Sequence, residues 1–452
     1  MNDMESNPLK QYIELYEANR EAFEAGSCDD VNARRHEAYE QLKEMSLPPL
    51  GAENYELTDL GAILAPDYGL NPRRLNIPVN PAESFSCKVP NMSTALHFLF
   101  NDAYASSDTA ARQMPEGVVC GSLRSVLEAH PEIAGHYGSV AEMHNPLVAL
   151  NTLLAQDGFV LYVKDGVKLE KPLQLVNILQ SNMPLMAPRR VLVVLGEDAE
   201  ARVLVCDHTQ NREQSYLVLT TVELICGRNS RLDYYDIEES SPRTSRLWSL
   251  YASMEEGADL LVDGITLNNG VTRNEYYATM RGEHCNLQLL GMGIEDNDRR
   301  LDTYSLIRHL KPRCHSNELF KYTVDNEARG AFCGRIYVAP GAVKTEAYQS
   351  NRNVLGSERA RMFSKPQLEI YNDDVKCSHG TAIGQFDEKQ IFYMMTRGLT
   401  RADAETLLKQ AFMADVIAGV RLDALRDRLT HLVDMRFSGT LAAGDCAACG
   451  RS

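Results

Sequence analysis

From about Pro172 to Phe386, short apolar runs rich in Val, Leu, Ile and Tyr alternate with turns of Gly, Asn, Asp and Glu, and helical periodicity is scarce. The runs Val191 to Leu195, Val203 to Cys206, Leu217 to Cys226 and Leu232 to Ile237 read as strands. A faint repeat runs through them. Tyr251-Ala252-Ser253-Met254 returns as Tyr277-Ala278-Thr279-Met280, a spacing of 277 − 251 = 26 residues. Aliphatic residues that open or anchor a run recur at Val203, Leu232, Leu260 and Leu287, with gaps of 29, 28 and 27. A drifting period of this size, carried by strands without helices, predicts a β-solenoid whose coils stack on one another. A twisted β-sandwich is the alternative.

The flanks carry a different period. Leu9, Tyr12, Ile13, Tyr16 and Phe23 approximate one helical stripe, and a second helix is predicted from about Asp30 to Met45, stopped by Leu47-Pro48-Pro49. Asn54 to Pro90 is irregular and proline-rich, and helical signal returns between Met92 and Leu154. Gly158 to Lys164, then Asp165-Gly166, then Val167 to Leu169 predicts a hairpin. At the C-terminal end, Ile391, Phe392, Met394 and Met395 form an apolar patch, and Thr400 with Asp403 resembles a capping box. Ala404, Leu407, Leu408, Ala411 and Phe412 share one helix face, and Leu422, Leu425, Leu429, Leu432 and Val433 share another. The predicted organisation is an N-terminal, mostly helical region (1–157), a β core (158–386), a C-terminal helical domain (387–440) and a flexible tail (441–452).

Composition narrows the partners. The formal net charge is −16 over 452 residues, which argues against a nucleic-acid backbone or an anionic membrane as the main partner. No apolar run approaches the roughly 20 residues needed to span a bilayer, and the acidic start Met1 to Asn7 lacks the pattern of a signal peptide. Eleven cysteines are then expected to be reduced thiols in the cytoplasm. Singly scattered ones, such as Cys206 and Cys333, default to buried packing, and Cys314-His315 reads as part of an exposed polar turn.

Several enzyme layouts are missing. There is no Gly-x-x-x-x-Gly-Lys-Ser/Thr loop, no Gly-x-Gly-x-x-Gly after a suitable strand, no Gly-x-Ser-x-Gly elbow and no His-Glu-x-x-His. Carboxylates line many turns, so a β-helix enzyme acting on polysaccharide or acyl substrates stays as the alternative. Cys446-Ala447-Ala448-Cys449 has no second pair of matching spacing and reads as part of the tail. The most informative stretch is Asp373-Asp374-Val375-Lys376-Cys377-Ser378-His379-Gly380. In an extended chain Cys377 and His379 share a face, because side chains repeat every two residues. Thiol beside imidazole makes a soft half-site for iron, zinc or sulfide sulfur, and closing it takes donors from elsewhere. The expectation is that this face points outward, toward a second polypeptide.

The run Lys365 to Ile370, continuing through Asp373-Asp374-Val375-Lys376-Cys377-Ser378-His379-Gly380-Thr381 to Gly384 and Ile391 to Gly398, resembles the C-terminal signature of the SufD family. Arg329-Gly330-Ala331-Phe332-Cys333-Gly334 and Asn351 to Leu355 support the resemblance, which covers most of the chain from about residue 90 onward and is weaker before that. SufB proteins would show Glu-His-Glu in place of Cys-Ser-His, and a cysteine near the place held here by Asn353 to Ser357. The family consists of scaffold subunits of the SUF iron–sulfur cluster assembly machine.

The resemblance implies a right-handed parallel β-helix flanked by helical regions. It implies a non-catalytic scaffold that pairs with a SufB-like subunit through its final coils and recruits a SufC-like ATPase through its C-terminal helices. Phe392, Leu407, Leu408 and Phe412 would make that second contact. It further implies that His379, with Cys377 beside it, takes part in holding a nascent iron–sulfur cluster completed by the partner. It leaves room for a flavin in the full complex and for a homodimer of the isolated chain.

Overall fold

The computed structural model describes residues 7–74, 94–105 and 114–439. Its centre is a parallel β-solenoid of about 8 turns. Successive strands alternate between two sheets, so each strand pairs with the one two places on in sequence, giving a sheet of ten strands and a sheet of nine. The repeat seen in the sequence is the stacking itself. Tyr251 to Met254 pairs in parallel register with Tyr277 to Met280, and Leu232, Leu260 and Leu287 lie directly above one another. Val203 does not join that column. Ala201 lies opposite Leu232 and Val203 opposite Tyr234, so the coil there is two residues longer than the aliphatic anchors suggested.

Alternation along each strand sends every second side chain inward. The inner stripe is continuous and dry: Leu175, Val203, Leu232, Leu260, Leu287 and many others form one buried cluster. An aromatic column runs through it, from Trp248 to Tyr276 (5.2 Å between ring centroids), Phe320 (5.7 Å) and Phe332 (5.1 Å). One buried guanidinium is met by several acceptors. Arg246 donates to Asp207 (3.0 Å), Asp236 (2.6 Å) and Asn274 (3.0 Å), which offsets the cost of burying a guanidinium.

The flanking helices use the outer faces. Leu9–Ala18 and Asp29–Glu44 pack with Pro146–Leu154 against Met186, Leu217, Leu219 and Leu247. Polar locks reinforce the contact. Arg190 and Glu223 pair at 2.7 Å with neither exposed, and Glu223 also accepts the Gly138 N–H at 2.9 Å. At the other end, Arg401–Ala418 and Asp423–Phe437 lay Met413, Val416, Leu425, Leu429 and Val433 on Leu261, Ile265, Leu290 and Met292. The Thr400/Asp403 capping box forms at the head of the first of these helices.

Two sequence expectations fail for reasons of context. The region from Met92 to Leu154 is not helical throughout: Ala95–Phe100, Ala103–Ala105 and Val118–Ser122 are strands that extend the two sheets. Ala95–Phe100 is apolar at nearly every position because the solenoid covers one face and further side chains the other. Nor is there a hairpin at Asp165-Gly166. Gly158–Val163 pairs in parallel with Leu185–Leu195 and antiparallel with Val118–Ser122, and beyond the turn Lys168 bridges Glu200 in parallel. The Gly166 N–H donates to Glu197 O on the next coil (2.7 Å), so the turn is a solenoid corner. The Cys446/Cys449 pair lies outside the described residues.

Candidate functional site

The last two strands of the stack, Arg361–Ile370 and Lys376–Gly384, each end one sheet. Among the described residues each pairs on one side only, with Arg329–Val338 and Glu346–Leu355 respectively. The other edge of each therefore presents backbone N–H and C=O groups without ladder partners, a surface to which another strand can add. Phe363, Ile370, Tyr371 and Ile383 are exposed around it. Pro366 sits on one of these edge strands, the position in a sheet that tolerates a residue without an N–H.

Cys377 and His379 lie on the terminal strand, opposite Ala347 and Gln349. They share a face, but it is the inward face of the strand and not the outward one expected. Cys377 packs half-buried against Ile336, Val338, Ala347 and Leu368, and burial pushes its thiol above the ordinary range. His379 is exposed: among the described residues no further coil covers the interior beyond it, and its ring has no hydrogen-bond partner. At a stack end the inward face and the partner-facing surface become the same surface.

Beneath His379 the interior turns polar. The register places Gln349 under His379 and Glu318 under Gln349, spacings of 379 − 349 = 30 and 349 − 318 = 31 residues. Gln349 Nε2 donates to Glu318 Oε2 at 2.6 Å, while the other Glu318 oxygen and the Gln349 amide oxygen are buried without a hydrogen bond among the described residues. Burial pushes the Glu318 carboxyl up to about 7. Gln349 reaches across the interior to Gly334, where a Cβ would fall 2.3 Å from its Nε2, so only glycine leaves room for the amide. Alongside, Ser364 donates to Asn351 and Thr381 donates to Ser364, both at 2.7 Å, joining the two terminal strands across the opening. Sequence reasoning missed these residues. Stepping back one coil period at a time from His379 finds Gln349 and Glu318.

The four candidate partner-binding residues divide. Phe392 is 68% and Leu407 44% exposed. Leu408 and Phe412 are half-buried, and Phe412 carries the Lys321 ammonium over its ring at 4.7 Å, so it helps dock the helix on the solenoid. The helix Glu388–Thr396 buries Ile391 alone, with Phe392, Tyr393 and Met395 turned to solvent. Cys314, expected in an exposed turn, is buried in the solenoid core.

Among the described residues no group of three or more His, Cys, Asp or Glu side chains is placed to hold a metal ion, so the thiol and imidazole of the last coil are at most one side of a site. No described helix is long and apolar enough to cross a membrane. A depression along the solenoid corners is lined by Glu197, Glu255, Glu256 and Glu283, but Arg228, Arg281 and Lys311 are interspersed among them. Mixed charge of that kind reads as a solvated stack of turns.

Fold and site together define a class: a β-solenoid whose exposed donor chemistry gathers at one open end of the stack, beside a docked helical C-terminus. Comparison with known proteins supplies the family. Residues 177–412 match the SufBD core domain of the SUF system for iron–sulfur cluster assembly, and residues 6–175 match the SufBD N-terminal region. The chain belongs to the SufBD family, and the likeness reaches well before residue 90.

Similar proteins include the iron–sulfur cluster assembly protein SufD of Escherichia coli, 27% identical over 440 residues covering 96% of this chain and 98% of the relative. An iron–sulfur cluster assembly SufBD family protein of Synechocystis is 26% identical over 434 residues, covering 94% and 95%. The SufD protein of Bacillus subtilis is 25% identical over 333 residues, covering 71% and 74%. The protein is thus an iron–sulfur cluster assembly protein of the SUF system, and the polysaccharide or acyl-group enzyme is not favoured.

Proposed function

We propose that this chain is a non-catalytic scaffold that pairs through its last coil with a SufB-like subunit, recruits a SufC-like ATPase through its C-terminal helices, and offers His379, with Cys377 beside it, to a nascent cluster at the shared interface. The cluster is cargo, built there and passed on. The observation that carries this reading is the open stack end, where an unpartnered imidazole and a half-buried thiol sit two positions apart between free strand edges. An imidazole nitrogen and a thiolate are both ligands for iron, and a partner strand laid on this edge would bring the remaining donors.

The helices supply a lever. Arg401–Ala418 and Asp423–Phe437 are tied to the solenoid by Lys409–Asp325 (2.9 Å), Arg421–Asp233 (2.8 Å) and Arg436–Asp296 (2.6 Å). Glu388–Thr396 lacks such ties to the solenoid among the described residues, and only residues 385–387 separate it from the terminal strand. An ATPase gripping Phe392 and its neighbours would pull on the strand that bears His379. ATP-driven closure of two such ATPases would then shift the interface and open or cover the cluster position.

The test is co-purification of this chain with SufB-like and SufC-like proteins, followed by iron and sulfide analysis of the complex. His379→Ala is expected to leave the complex assembled and to cut the iron and sulfide it retains. Unchanged cluster content would remove the ligand role. If His379 and Cys377 could both be replaced without effect while the C-terminal helices could not, the chain would be only a holder of the ATPase.

A further inference from the structure

Cys285 and Cys314 stand at equivalent places on neighbouring coils, each one residue before a strand, with Asn286 and His315 in register just beyond them. In-register residues on adjacent parallel strands have Cα atoms about 4.8 Å apart. That lies inside the window of about 4.4–6.8 Å that a disulfide spans. Both side chains turn into the buried core, and their sulfurs converge on one acceptor: each Sγ lies 3.3 Å from the Gly282 carbonyl oxygen.

His309 is buried close by, with Nε2 on Ser316 Oγ at 2.9 Å and Nδ1 without a hydrogen bond among the described residues. The Cys285 thiol first, and the His309 imidazole after it, hold the Cys314 thiol below its ordinary range against the effect of burial. Burial is the largest influence on two other buried thiols, pushing Cys226 up to about 12 and Cys333 to about 11. A single turn, Arg281 to His284, covers the pair. At Gly282 a Cβ would fall 1.9 Å from Glu256 N, so the turn packs backbone on backbone there, and Gly282, whose carbonyl both sulfurs approach, also lines the depression outside.

We propose that Cys285 and Cys314 form a dithiol that hydroperoxides oxidise to a disulfide, stapling two successive coils of the solenoid. The Cys314 thiolate attacks one peroxide oxygen, the O–O bond breaks, and the departing hydroxide takes a proton to leave as water, giving a sulfenic acid. Cys285 attacks that sulfur, the S–O bond breaks, and hydroxide leaves with the thiol proton as a second water. Two thiols and one hydrogen peroxide become one disulfide and two waters. The pair lies three and two coils before the terminal one and bonds to neither Cys377 nor His379, so the proposal stands apart from the role assigned to His379.

The test uses the full chain, reduced, treated with hydrogen peroxide, alkylated and digested without reductant for mass spectrometry. A peptide joining Cys285 to Cys314 is expected, formed at least about tenfold faster than Cys226 is oxidised. Cys285→Ser is expected to strand Cys314 as a sulfenic acid trapped by dimedone, and Cys314→Ser to leave Cys285 reduced. The oxidised wild-type chain should melt at a higher temperature, reversibly with dithiothreitol. Cys314 oxidising no faster than Cys226, or joining another cysteine, would overturn the proposal, and that reading needs no variant to fold.

Discussion

The middle coils and the last coil are built from the same alternating strands, yet their interiors differ. Around Trp248, Tyr276 and Phe320 most inward side chains are apolar, sealed by a coil on each side, and the guanidinium among them is met by two carboxylates and the Asn274 amide oxygen. Toward the end the column becomes Glu318, Gln349 and His379, with Asn351, Ser364 and Thr381 beside it. A side chain pointing inward in the middle is removed from water by two neighbours. The same direction on the final coil leads to the mouth of the stack. Stability therefore resides where stacking continues, and accessible chemistry where it stops.

That contrast can be broken most forcefully in the middle. Trp248→Ala should cost about 3–5 kcal/mol, the usual range for emptying a large aromatic site in a packed core. Arg190→Met, which strands the buried Glu223 carboxylate, should cost about 3–5 kcal/mol for a different reason. Denaturant unfolding followed by circular dichroism measures both, and losses below about 1 kcal/mol would mean the middle coils are not the stable unit.

Glu318 lies at the transition between the two interiors, and its burial shows in pH dependence. Its folded-state carboxyl, raised from 4.5 to about 7, binds its proton more tightly than in the unfolded chain. Its contribution to stability is thus fully present below about 4.5 and is lost as pH rises through about 7. Glu318→Gln keeps an acceptor for Gln349 and removes the titration. It should flatten that part of the stability–pH curve and leave the variant more stable than wild type at pH 8 by on the order of 2 kcal/mol. An identical pH profile for the two proteins would show that water reaches Glu318 from the open end.

Smaller effects sharpen the comparison at the periphery. Thr400→Ala removes the hydroxyl that accepts the Asp403 N–H, one half of the capping box, and should cost about 1 kcal/mol, read as lower stability of the C-terminal helices by hydrogen exchange. His379→Ala should leave the unfolding midpoint of the isolated chain where it was, since nothing in the described structure is bonded to that ring. A clear destabilisation would make His379 a structural residue of the last coil.

Much of this was legible in the chain because local rules set it. Period-2 runs with turns at intervals of 26 to 29 residues announced stacked strands, and Tyr251 to Met254 does lie on Tyr277 to Met280. The Thr400/Asp403 cap and the stripe from Leu422 to Val433 were readable because helix ends and helix faces depend on neighbours three and four residues away. Ala95–Phe100 and the Asp165-Gly166 corner were misread because their partners are remote: the strand is held by Leu173–Leu179, and the turn is satisfied by Glu197.

By itself, then, the sequence determined which residues alternate, where helices begin, and that Cys377 and His379 share one face, since these follow from backbone geometry over a few residues. Tertiary structure alone decided that this face is the inner one, that it is nonetheless open, and that Glu318 and Gln349 lie beneath it. The reason is physical. Burial depends on whether another coil is stacked above, and a residue acquires that neighbour from chain about 30 positions away.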